Sequence, residues 1–254
     1  MSAPQTFSLD GRIALVTGAS KGLGASMAHA LAAAGADVIL VSRRPADTTA
    51  AAIRTLGRKA WILTADLSVA EEPARVFEEA LGAAGNVDIL VNNAGIIRRA
   101  NFVDFSEADW TEVMATNLDS AFRLSQLAAR NWISSKRQGK IIHVASMLSF
   151  QGGVRVASYT AAKSALHGLT KLMANELAIH GINVNAIAPG YMATENTEAL
   201  RADANRNQAI LDRIPAGRWG EPSDLDGAVV FLASAASHYV HGFTLAVDGG
   251  WLAR

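Results

Sequence analysis

The sequence predicts a single α/β domain built as an open, doubly wound parallel sheet with helices on both faces. Seven short, nearly continuous apolar runs recur along the 254 residues, and stretches rich in alanine, leucine and charge separate them. Continuous apolar runs are typical of strands buried on both faces, and alternation with helices gives parallel pairing through crossovers. No linker, repeat or low-complexity segment interrupts this pattern, so residues 1–254 are interpreted as one domain.

Local signals place the elements along the chain. After the first strand, Leu23, Met27 and Leu31 recur every four residues and Gly35 ends the predicted helix. Capping-box patterns at Ser68 and Ser106 predict the starts of two later helices. Residues 190–207 have the weakest periodicity and are interpreted as a loop or mobile lid, within a substrate loop at about 190–215. The predicted strands are residues 12–17, 37–42, 59–64, 87–92, 140–146, 182–188 and 243–247.

The composition excludes several classes of function. The chain carries 23 basic and 23 acidic residues and no cysteine, and 50% of its residues are apolar. It therefore lacks the basic surplus that nucleic acids or anionic membranes attract, and no disulfide, thiolate nucleophile or cysteine-ligated zinc is possible. The six histidines show no metal-ligand spacing, so no metal site is expected. Without a signal peptide or a run of about 18 to 20 apolar residues, we expect a soluble, cytoplasmic protein.

A glycine-rich turn follows the first predicted strand and leads into the first predicted helix. Its glycines allow a tight turn and a close approach of the backbone, and the helix N-terminus offers N–H groups to a pyrophosphate. The spacing GxxxGxG lacks the Gly-Lys-Ser/Thr ending of a nucleoside triphosphate loop. An ordinary glycine turn is the alternative, but the position between strand and helix favours a dinucleotide. The residues proposed to contact it are Gly18, Ser20, Lys21, Gly22, Leu23 and Gly24.

The end of the second predicted strand indicates which dinucleotide is bound. An acidic residue there would accept hydrogen bonds from a free ribose 2′-hydroxyl, but the chain has Ser42, Arg43 and Arg44. Arginine can bind a 2′-phosphate through charge-assisted hydrogen bonds, the serine can add a hydroxyl, and Lys21 adds a nearby positive charge. These residues favour NADP. NAD stays the alternative if the two arginines are merely solvated.

A tyrosine and a lysine form the candidate acid–base pair. Tyr159 and Lys163 are four positions apart, so both lie on one face of a predicted helix. A lysine cation stabilises a phenolate and lowers the pKa of the tyrosine towards the range of a general acid or base. Ser146 ends the fifth predicted strand, where ligands bind in such sheets, and could polarise a substrate oxygen.

Ordered motifs along nearly the whole chain resemble those of the short-chain dehydrogenase/reductase family. They are the turn Thr17–Gly24, the segment Asn92-Asn-Ala-Gly95, Asn117, Ser146, Tyr159-x-x-x-Lys163 and Pro189-Gly190. The resemblance implies a Rossmann-type, seven-stranded parallel sheet, a nicotinamide cofactor and a homotetramer. The predicted helices at about 106–133 and 156–180 would pack between its subunits, and the apolar C-terminal tail could reach a neighbouring site.

The resemblance also implies roles for individual residues. Tyr159 would donate or accept the proton, Lys163 would bind the nicotinamide ribose, Ser146 would orient the carbonyl, and Asn117 would hold a water molecule of the proton relay. Thr194 would meet the nicotinamide carboxamide. Asp66 would contact adenine, and Asn92, Ala94 and Gly95 would line the adenosine ribose. Further residues expected at the cofactor are Leu67, Asn93, Pro189, Gly190 and Met192.

Finer resemblance points to the branch of that family that acts on deoxy sugar acids such as 2-deoxy-D-gluconate and 2-dehydro-3-deoxy-D-gluconate. A bidentate arginine could bind the substrate carboxylate; the candidates are Arg98, Arg99 and Arg155, with Tyr191 as a further substrate residue. A surface or interface role is the alternative for each arginine. Two other functions stay open: a reductase of 3-oxoacyl carrier proteins, and a non-catalytic module that senses the dinucleotide.

Overall fold

One sheet of seven parallel strands forms the centre of the protein. The computed structural model describes residues 5–254, so residues 1–4 of the predicted domain lie outside the described part. The strand order is β3-β2-β1-β4-β5-β6-β7, which confirms the predicted doubly wound sheet. Each predicted strand is present, with bounds within two residues of the prediction. The strands are β1 Ile13–Thr17, β2 Asp37–Ser42, β3 Ala60–Thr64, β4 Ile89–Asn92, β5 Gly139–Val144, β6 Ile182–Pro189 and β7 Thr244–Val247.

Helices cover both faces of this sheet. A π-helical turn, Ala115–Asp119, joins α4 to α5, so the predicted helix at about 106–133 is interrupted there. The predicted helix at about 156–180 is α6 followed by the 3-10 turn Ala178–His180. The helices are α1 Gly22–Ala33, α2 Asp47–Thr55, α3 Glu72–Ala84, α4 Glu107–Met114, α5 Ser120–Ser134, α6 Ala157–Leu177, α7 Glu198–Ala202, α8 Ala204–Leu211 and α9 Asp226–Ala233.

Two apolar layers sandwich the sheet. Residues of β2 alternate between them, because successive side chains of a strand point to opposite faces. Leu40 packs in the layer that includes α1, α2 and α9, with Met27 as one of its members. Ile39 packs in the layer that includes α3 and α5, with Trp132 as one of its members. Burial on both faces explains the continuous apolar runs in the sequence.

One of the two predicted helix starts is confirmed, through an N-cap bond rather than a full capping box. The Ser106 side chain accepts a hydrogen bond from the N–H of Asp109 at 3.1 Å, at the start of α4. The prediction at Ser68 is wrong, because α3 begins at Glu72 without a side-chain cap. There the N–H and the hydroxyl of Ser68 donate to the Asp66 carboxylate at 3.0 and 2.7 Å, so the serine stabilises a turn.

Residues 190–194 are irregular, as predicted, but residues 195–207 are mostly helical, contrary to the prediction. The chain forms the 3-10 turn Glu195–Thr197 and then α7 and α8. The sequence signal is weak because these helices bury little: α7 buries no residue, and α8 buries only Ile210. Residues 195–211 are called the lid below. Within the described part of the chain, no helix has the length and apolar character needed to cross a membrane.

Candidate active site

A cleft of about 540 Å³ opens at the carboxyl edge of the sheet, where β1 and β4 diverge. This edge is where open α/β sheets bind ligands. Asn92 lies outside the cleft lining, buried in β4, where its side-chain amide donates to the Ser125 hydroxyl at 2.9 Å. The structure brings together at the cleft every other residue proposed for cofactor binding, and also Ser146. These residues are Gly18, Ser20, Lys21, Gly22, Leu23, Gly24, Ser42, Arg43, Arg44, Asp66, Leu67, Asn93, Ala94, Gly95, Ser146, Tyr159, Lys163, Pro189, Gly190, Met192 and Thr194.

Close packing of backbone explains two glycines of the phosphate loop. Gly18 has a φ of +66°, a left-handed conformation that side chains disfavour. A Cβ on Gly24 would overlap the carbonyl oxygen of Gly18, so this helix residue can only be glycine if α1 is to approach the strand end. The N-cap residue of α1, Lys21, makes no side-chain capping bond, which leaves the first N–H groups of the helix directed at the cleft.

Thr17 and Asn93 hold the ends of β1 and β4 together beneath this loop. The Thr17 hydroxyl oxygen accepts hydrogen bonds from the N–H groups of Asn93 and Ala94, both at 2.9 Å. The Asn93 side-chain amide donates to the Thr17 carbonyl at 2.8 Å and to the Gly18 carbonyl at 3.3 Å. Asn93 therefore fixes the shape of the glycine loop from below.

Positive charge gathers at one end of the cleft. Arg43 and Arg44 are exposed just after β2 and line the cleft wall. Ser42 plays a different part from the one predicted: its hydroxyl donates to the Arg44 carbonyl at 2.6 Å. A phosphate oxygen needs a donor, and this one is already used, so Ser42 shapes the turn that presents the arginines.

Asp66 lies on the same side of the cleft. Hydrogen bonds from Ser68 and the charge of Arg43 lower the pKa of the Asp66 carboxyl, although burial opposes the shift. The carboxylate is therefore fixed by the turn after β3 and stays ionised.

Lys21 is engaged by the lid. Its ammonium forms an ion pair with the carboxylate of Glu195, and this contact lowers the pKa of the Glu195 carboxyl. Both side chains are largely exposed, so the pair contributes little to stability. It nevertheless ties the glycine loop to the first turn of the lid across the cleft.

The proposed acid–base pair lies deep in the cleft on one face of α6. Lys163 is 3% exposed, and its ammonium donates to the Val144 carbonyl at 2.6 Å. The same nitrogen lies 5.6 Å from the centroid of the Tyr159 ring. Ser146 stands two residues beyond β5, and its hydroxyl oxygen accepts a hydrogen bond from the N–H of Leu148 at 3.1 Å.

Burial controls the ionisation of this pair. Desolvation raises the pKa of Tyr159, while the hydrogen bond to Ser146 and the charge of Arg99 act in the opposite direction. Desolvation also lowers the pKa of Lys163 to about 8. In this arrangement desolvation outweighs the predicted lowering of the tyrosine pKa, because the cost of burying a phenolate exceeds the attractions around it.

Asn117 does not reach the cleft. It lies in the π-helical turn, and its side-chain oxygen accepts the N–H of Ile96 at 2.8 Å while its amide donates to the Ile96 carbonyl at 2.9 Å. Both ends of the side chain are therefore used to hold the cleft wall at Gly95 and Ile96.

Four of the five residues predicted to contact the substrate lie outside the cleft lining; they are Arg98, Arg99, Arg155 and Tyr191, whereas Ser146 lines the cleft. Arg98 forms ion pairs with Asp109 at 3.4 Å and Glu112 at 2.8 Å, so its charge is already balanced. Arg155 is exposed on the loop before α6, away from the cleft lining, with a left-handed φ of +64°. These positions contradict the prediction that either arginine binds the substrate.

Tyr191, predicted to contact the substrate, also lies outside the cleft lining. Its ring packs edge-on against Trp251 at 4.8 Å and Trp219 at 5.4 Å, in a cluster beneath the lid. Arg99 has a different setting: its guanidinium donates to the Asn196 carbonyl of the lid at 3.0 Å, and its charge acts on Tyr159. Of the three arginines considered, Arg99 is the one whose charge acts on Tyr159.

Several cleft residues escaped the sequence analysis. The lid contributes three of them, and Thr194 with Thr197 forms a reciprocal capping box that starts the 3-10 turn. That Thr-x-x-Thr pattern is a signal that could have revealed a helical start at this point. The residues missed are Ala65, Ser68, Ile96, Glu112, Thr116, Val144, Ala145, Glu195, Asn196 and Thr197.

No group of three or more histidine, aspartate or glutamate side chains among residues 5–254 is arranged to hold a metal ion. The cleft itself combines a dinucleotide-sized space, an anion-binding glycine loop and, at one end, a serine, a tyrosine and a lysine.

Comparison with known proteins identifies the family. The profile of the family described as "short chain dehydrogenase" matches residues 12–205. The chain is 57% identical over 249 residues to the 2-dehydro-3-deoxy-D-gluconate 5-dehydrogenase of Dickeya dadantii, with 98% of each chain covered. It is also 57% identical over 248 residues to the enzyme of that name from Escherichia coli, again with 98% of each chain covered.

A solved structure agrees over the whole fold. A candidate 2-deoxy-D-gluconate 3-dehydrogenase of Agrobacterium tumefaciens, crystallised with bound NADP, superposes with a TM-score of 0.93 at 57% identity, covering 99% of this chain and 100% of that one. The match extends through the glycine loop, the strand ends and α6, the elements that build the cleft. The chain therefore belongs to the short-chain dehydrogenase family and is an oxidoreductase.

Proposed function

We propose that the protein is an NADP(H)-dependent dehydrogenase that interconverts a secondary hydroxyl and a ketone on a deoxy sugar acid. The first candidate substrate is 2-dehydro-3-deoxy-D-gluconate, and 2-deoxy-D-gluconate is the second. One observation carries the proposal: identity of 57% over nearly the whole chain to two enzymes named for the first of these compounds. The serine, tyrosine and lysine in the cleft supply the hydroxyl, the acid–base group and the cation that such a reaction needs.

The cleft residues fit a nicotinamide dinucleotide. Gly24 leaves a hollow that any side chain would fill, and the uncapped start of α1 offers N–H groups to a pyrophosphate. Arg43 and Arg44 stand where a 2′-phosphate would lie, and no carboxylate from the end of β2 would repel it. A similar protein binds NADP. When bound, the cofactor supplies the hydride acceptor or donor.

The protein's own residues would then manage one proton. In the oxidation direction, the Ser146 hydroxyl positions the substrate hydroxyl. The oxygen of Tyr159 takes the proton of the substrate hydroxyl as a hydride leaves the carbon that bears that hydroxyl. In reduction, Tyr159 returns the proton to the carbonyl oxygen. The ammonium of Lys163 stabilises the tyrosinate that accepts the proton in oxidation and that is formed again in reduction, because the two groups share one dry pocket.

Arg99 is the residue we assign to the substrate carboxylate. It is anchored to the lid through the Asn196 carbonyl and acts electrostatically on Tyr159, so its charge reaches the reacting end of the cleft. A guanidinium binds a carboxylate in two parallel hydrogen bonds, which would orient the sugar acid. The substrate loop proposed at about 190–215 corresponds to the lid and its flanks.

Assembly and location complete the proposal. We propose a homotetramer in the cytoplasm, with α4, α5 and α6 between subunits. Exposed apolar side chains on these helices, such as Trp110, Phe122 and Leu172, support an interface there. Light scattering at micromolar concentration tests the assembly: a stable monomer would contradict it.

The experiment is a screen of oxidation with NADP⁺ and NAD⁺. The substrates are 2-dehydro-3-deoxy-D-gluconate, 2-deoxy-D-gluconate and D-gluconate, and acetoacetyl thioesters are tested for reduction with NADPH. We expect the highest kcat/KM for a deoxy sugar acid with NADP⁺, and Tyr159→Phe serves as the catalytic control. Preference for the thioester would favour the carrier-protein reductase, and cofactor binding without turnover on any compound would favour a sensing module.

A further inference from the structure

A small apolar core lies beneath the lid, separate from the two layers that sandwich the sheet. Its buried members are Met147, Ile210, Ile214 and Trp251. These residues come from four different places: the segment that follows Ser146, α8 of the lid, the chain after the lid, and the last turn of the protein. The cluster therefore connects the loop carrying a proposed catalytic residue to the lid and to the C-terminal tail, defined here as residues 248–254.

Trp251 occupies the centre of this cluster. It is 5% exposed, although it stands only three residues from the end of the chain. The Tyr191 ring packs edge-on against it at 4.8 Å, and the guanidinium of Arg213 lies over its ring at 4.0 Å. A buried aromatic contact and a cation–π contact together make one indole the common partner of both flanks of the lid.

Backbone contacts hold the tail in this position. The Asp248 carboxylate accepts the N–H groups of Gly250 and Leu252, each at 2.9 Å, which closes the turn that presents Trp251. The N–H of Ala216 donates to the Gly249 carbonyl at 2.9 Å. The tail is thus joined to the segment that follows the lid.

The terminal residue adds a second connection. The Arg254 guanidinium donates to the carbonyls of Asp212 at 2.6 Å and Arg213 at 3.2 Å, directly after the end of α8. A cation at this end of a helix binds carbonyls that lack partners and interacts favourably with the helix dipole. The tail therefore caps the last helix of the lid.

Movement of the residues packed around Trp251 would change the shape of the cleft, although Trp251 itself does not line the cleft. Tyr191 precedes Met192, a cleft-lining residue, and its carbonyl accepts the N–H of Gly220 at 2.9 Å. On the other side, Met147 follows Ser146 directly. Tyr191 and Met147, two members of the cluster around Trp251, are thus each one residue away from the cleft wall.

We propose that Trp251 is a positioning residue, which docks the lid against the loop of Ser146 and so sets the geometry of the substrate site. It acts through Tyr191 and Arg213 and touches neither cofactor nor substrate. Without the indole, the lid loses its apolar floor while the phosphate loop, α6 and the sheet keep their packing.

The test compares Trp251→Ala with Trp251→Phe and with Trp61→Ala. Phenylalanine preserves an aromatic ring at the same place. Trp61 lies in β3 and packs against the layer formed with α3 and α5, so its loss removes a similar side chain far from the lid. The first measurement is limited trypsin cleavage of the substrate-free protein, because the lid carries the exposed Arg201 and Arg206. Proteolysis needs no substrate and therefore does not depend on the proposed function.

For Trp251→Ala we expect cleavage in the lid to accelerate about tenfold or more, the factor that corresponds to about 1.4 kcal/mol of docking free energy. The dissociation constant for NADP should stay within about twofold, a difference too small to indicate a lost hydrogen bond. Trp251→Phe should restore most of the protection, and Trp61→Ala should lower the melting temperature without opening the lid.

The kinetic arm rests on the proposed function. For a sugar acid that the natural protein oxidises, Trp251→Ala should raise KM more than it lowers kcat, since binding through the lid is weakened while the acid–base pair stays in place. Unchanged lid cleavage in Trp251→Ala, or equal acceleration in Trp61→Ala, would overturn the proposal even if the sugar acid proves to be the substrate. Faster cleavage without any oxidation of sugar acids would overturn the proposed function alone.

Discussion

The cofactor preference depends on two exposed arginines, and their removal gives the sharpest test of the NADP assignment. Arg43 and Arg44 follow β2 directly, and the Ser42 hydroxyl holds the turn by donating to the Arg44 carbonyl. Because that bond is to the backbone of residue 44, Arg44→Ala leaves the turn intact. We therefore expect Arg43→Ala, Arg44→Ala and the double variant to fold normally and to differ from the natural protein only in the charge offered to a 2′-phosphate.

The magnitude follows from the exposure of both side chains. A hydrogen bond to a charged group contributes about 1.5–3 kcal/mol, and exposure to water favours the lower end of that range. About 1.5 kcal/mol per arginine corresponds to roughly a tenfold rise in KM for NADP⁺, and the double variant should show roughly a hundredfold rise. KM for NAD⁺, which has no 2′-phosphate, should hardly change.

Steady-state kinetics with both cofactors at two ionic strengths provide the assay. The preference of the natural protein for NADP⁺ should weaken at high salt, because screening reduces the attraction between exposed charges. Lys59→Ala is the matched control, since it removes one exposed positive charge at the opposite, amino-terminal edge of the sheet. If the ratio of the two KM values is the same in the double variant as in the control, the arginines do not recognise a phosphate and the NADP assignment fails.

Three further predictions concern the cleft and the core. Tyr159→Phe should lower kcat by about 10²–10⁴, the usual contribution of a general acid or base, and leave the dissociation constant for NADP unchanged in fluorescence titration. Gly24→Ala should abolish NADP binding and lower the free energy of unfolding by about 1–3 kcal/mol in urea titration, because the new methyl group would overlap the Gly18 carbonyl. Burial lowers the pKa of His143 to about 3, so between that pH and 6.5 only the unfolded chain binds this proton, and the free energy of unfolding falls as the pH decreases. In urea titrations, His143→Asn should therefore lose less of its free energy of unfolding between pH 7 and pH 4.5 than the natural protein does. An equal loss in both proteins would contradict the lowered pKa of His143.

The residues that sequence reasoning located correctly stand at the ends of strands or on one helix face. The glycine loop must follow β1, and Tyr159 and Lys163 must share a face of α6, because chain direction and helical period alone determine those positions. Local rules suffice there. The same is true of the seven strands, whose burial on both faces leaves a continuous apolar signature.

The substrate residues could not be found in this way, because their partners are distant in sequence. Arg98 carries a charge suited to a sugar acid, but Asp109 and Glu112 on α4 already balance it. Tyr191 follows the Pro-Gly motif at the cleft, yet its ring turns towards Trp219 and Trp251, 28 and 60 residues later. The local sequence pattern does not show which side chains will be engaged by partners that are distant in sequence.

The acid–base pair shows the same difference at the level of energy. Spacing on a helix indicates attraction between a phenolate and an ammonium, and the Lys163 nitrogen does lie 5.6 Å from the centroid of the Tyr159 ring. Spacing does not reveal that both groups are buried. Burial disfavours each charge, so it raises the pKa of Tyr159 and lowers the pKa of Lys163. The pair works as a coupled unit, in which the lysine compensates for desolvation before it can favour proton transfer.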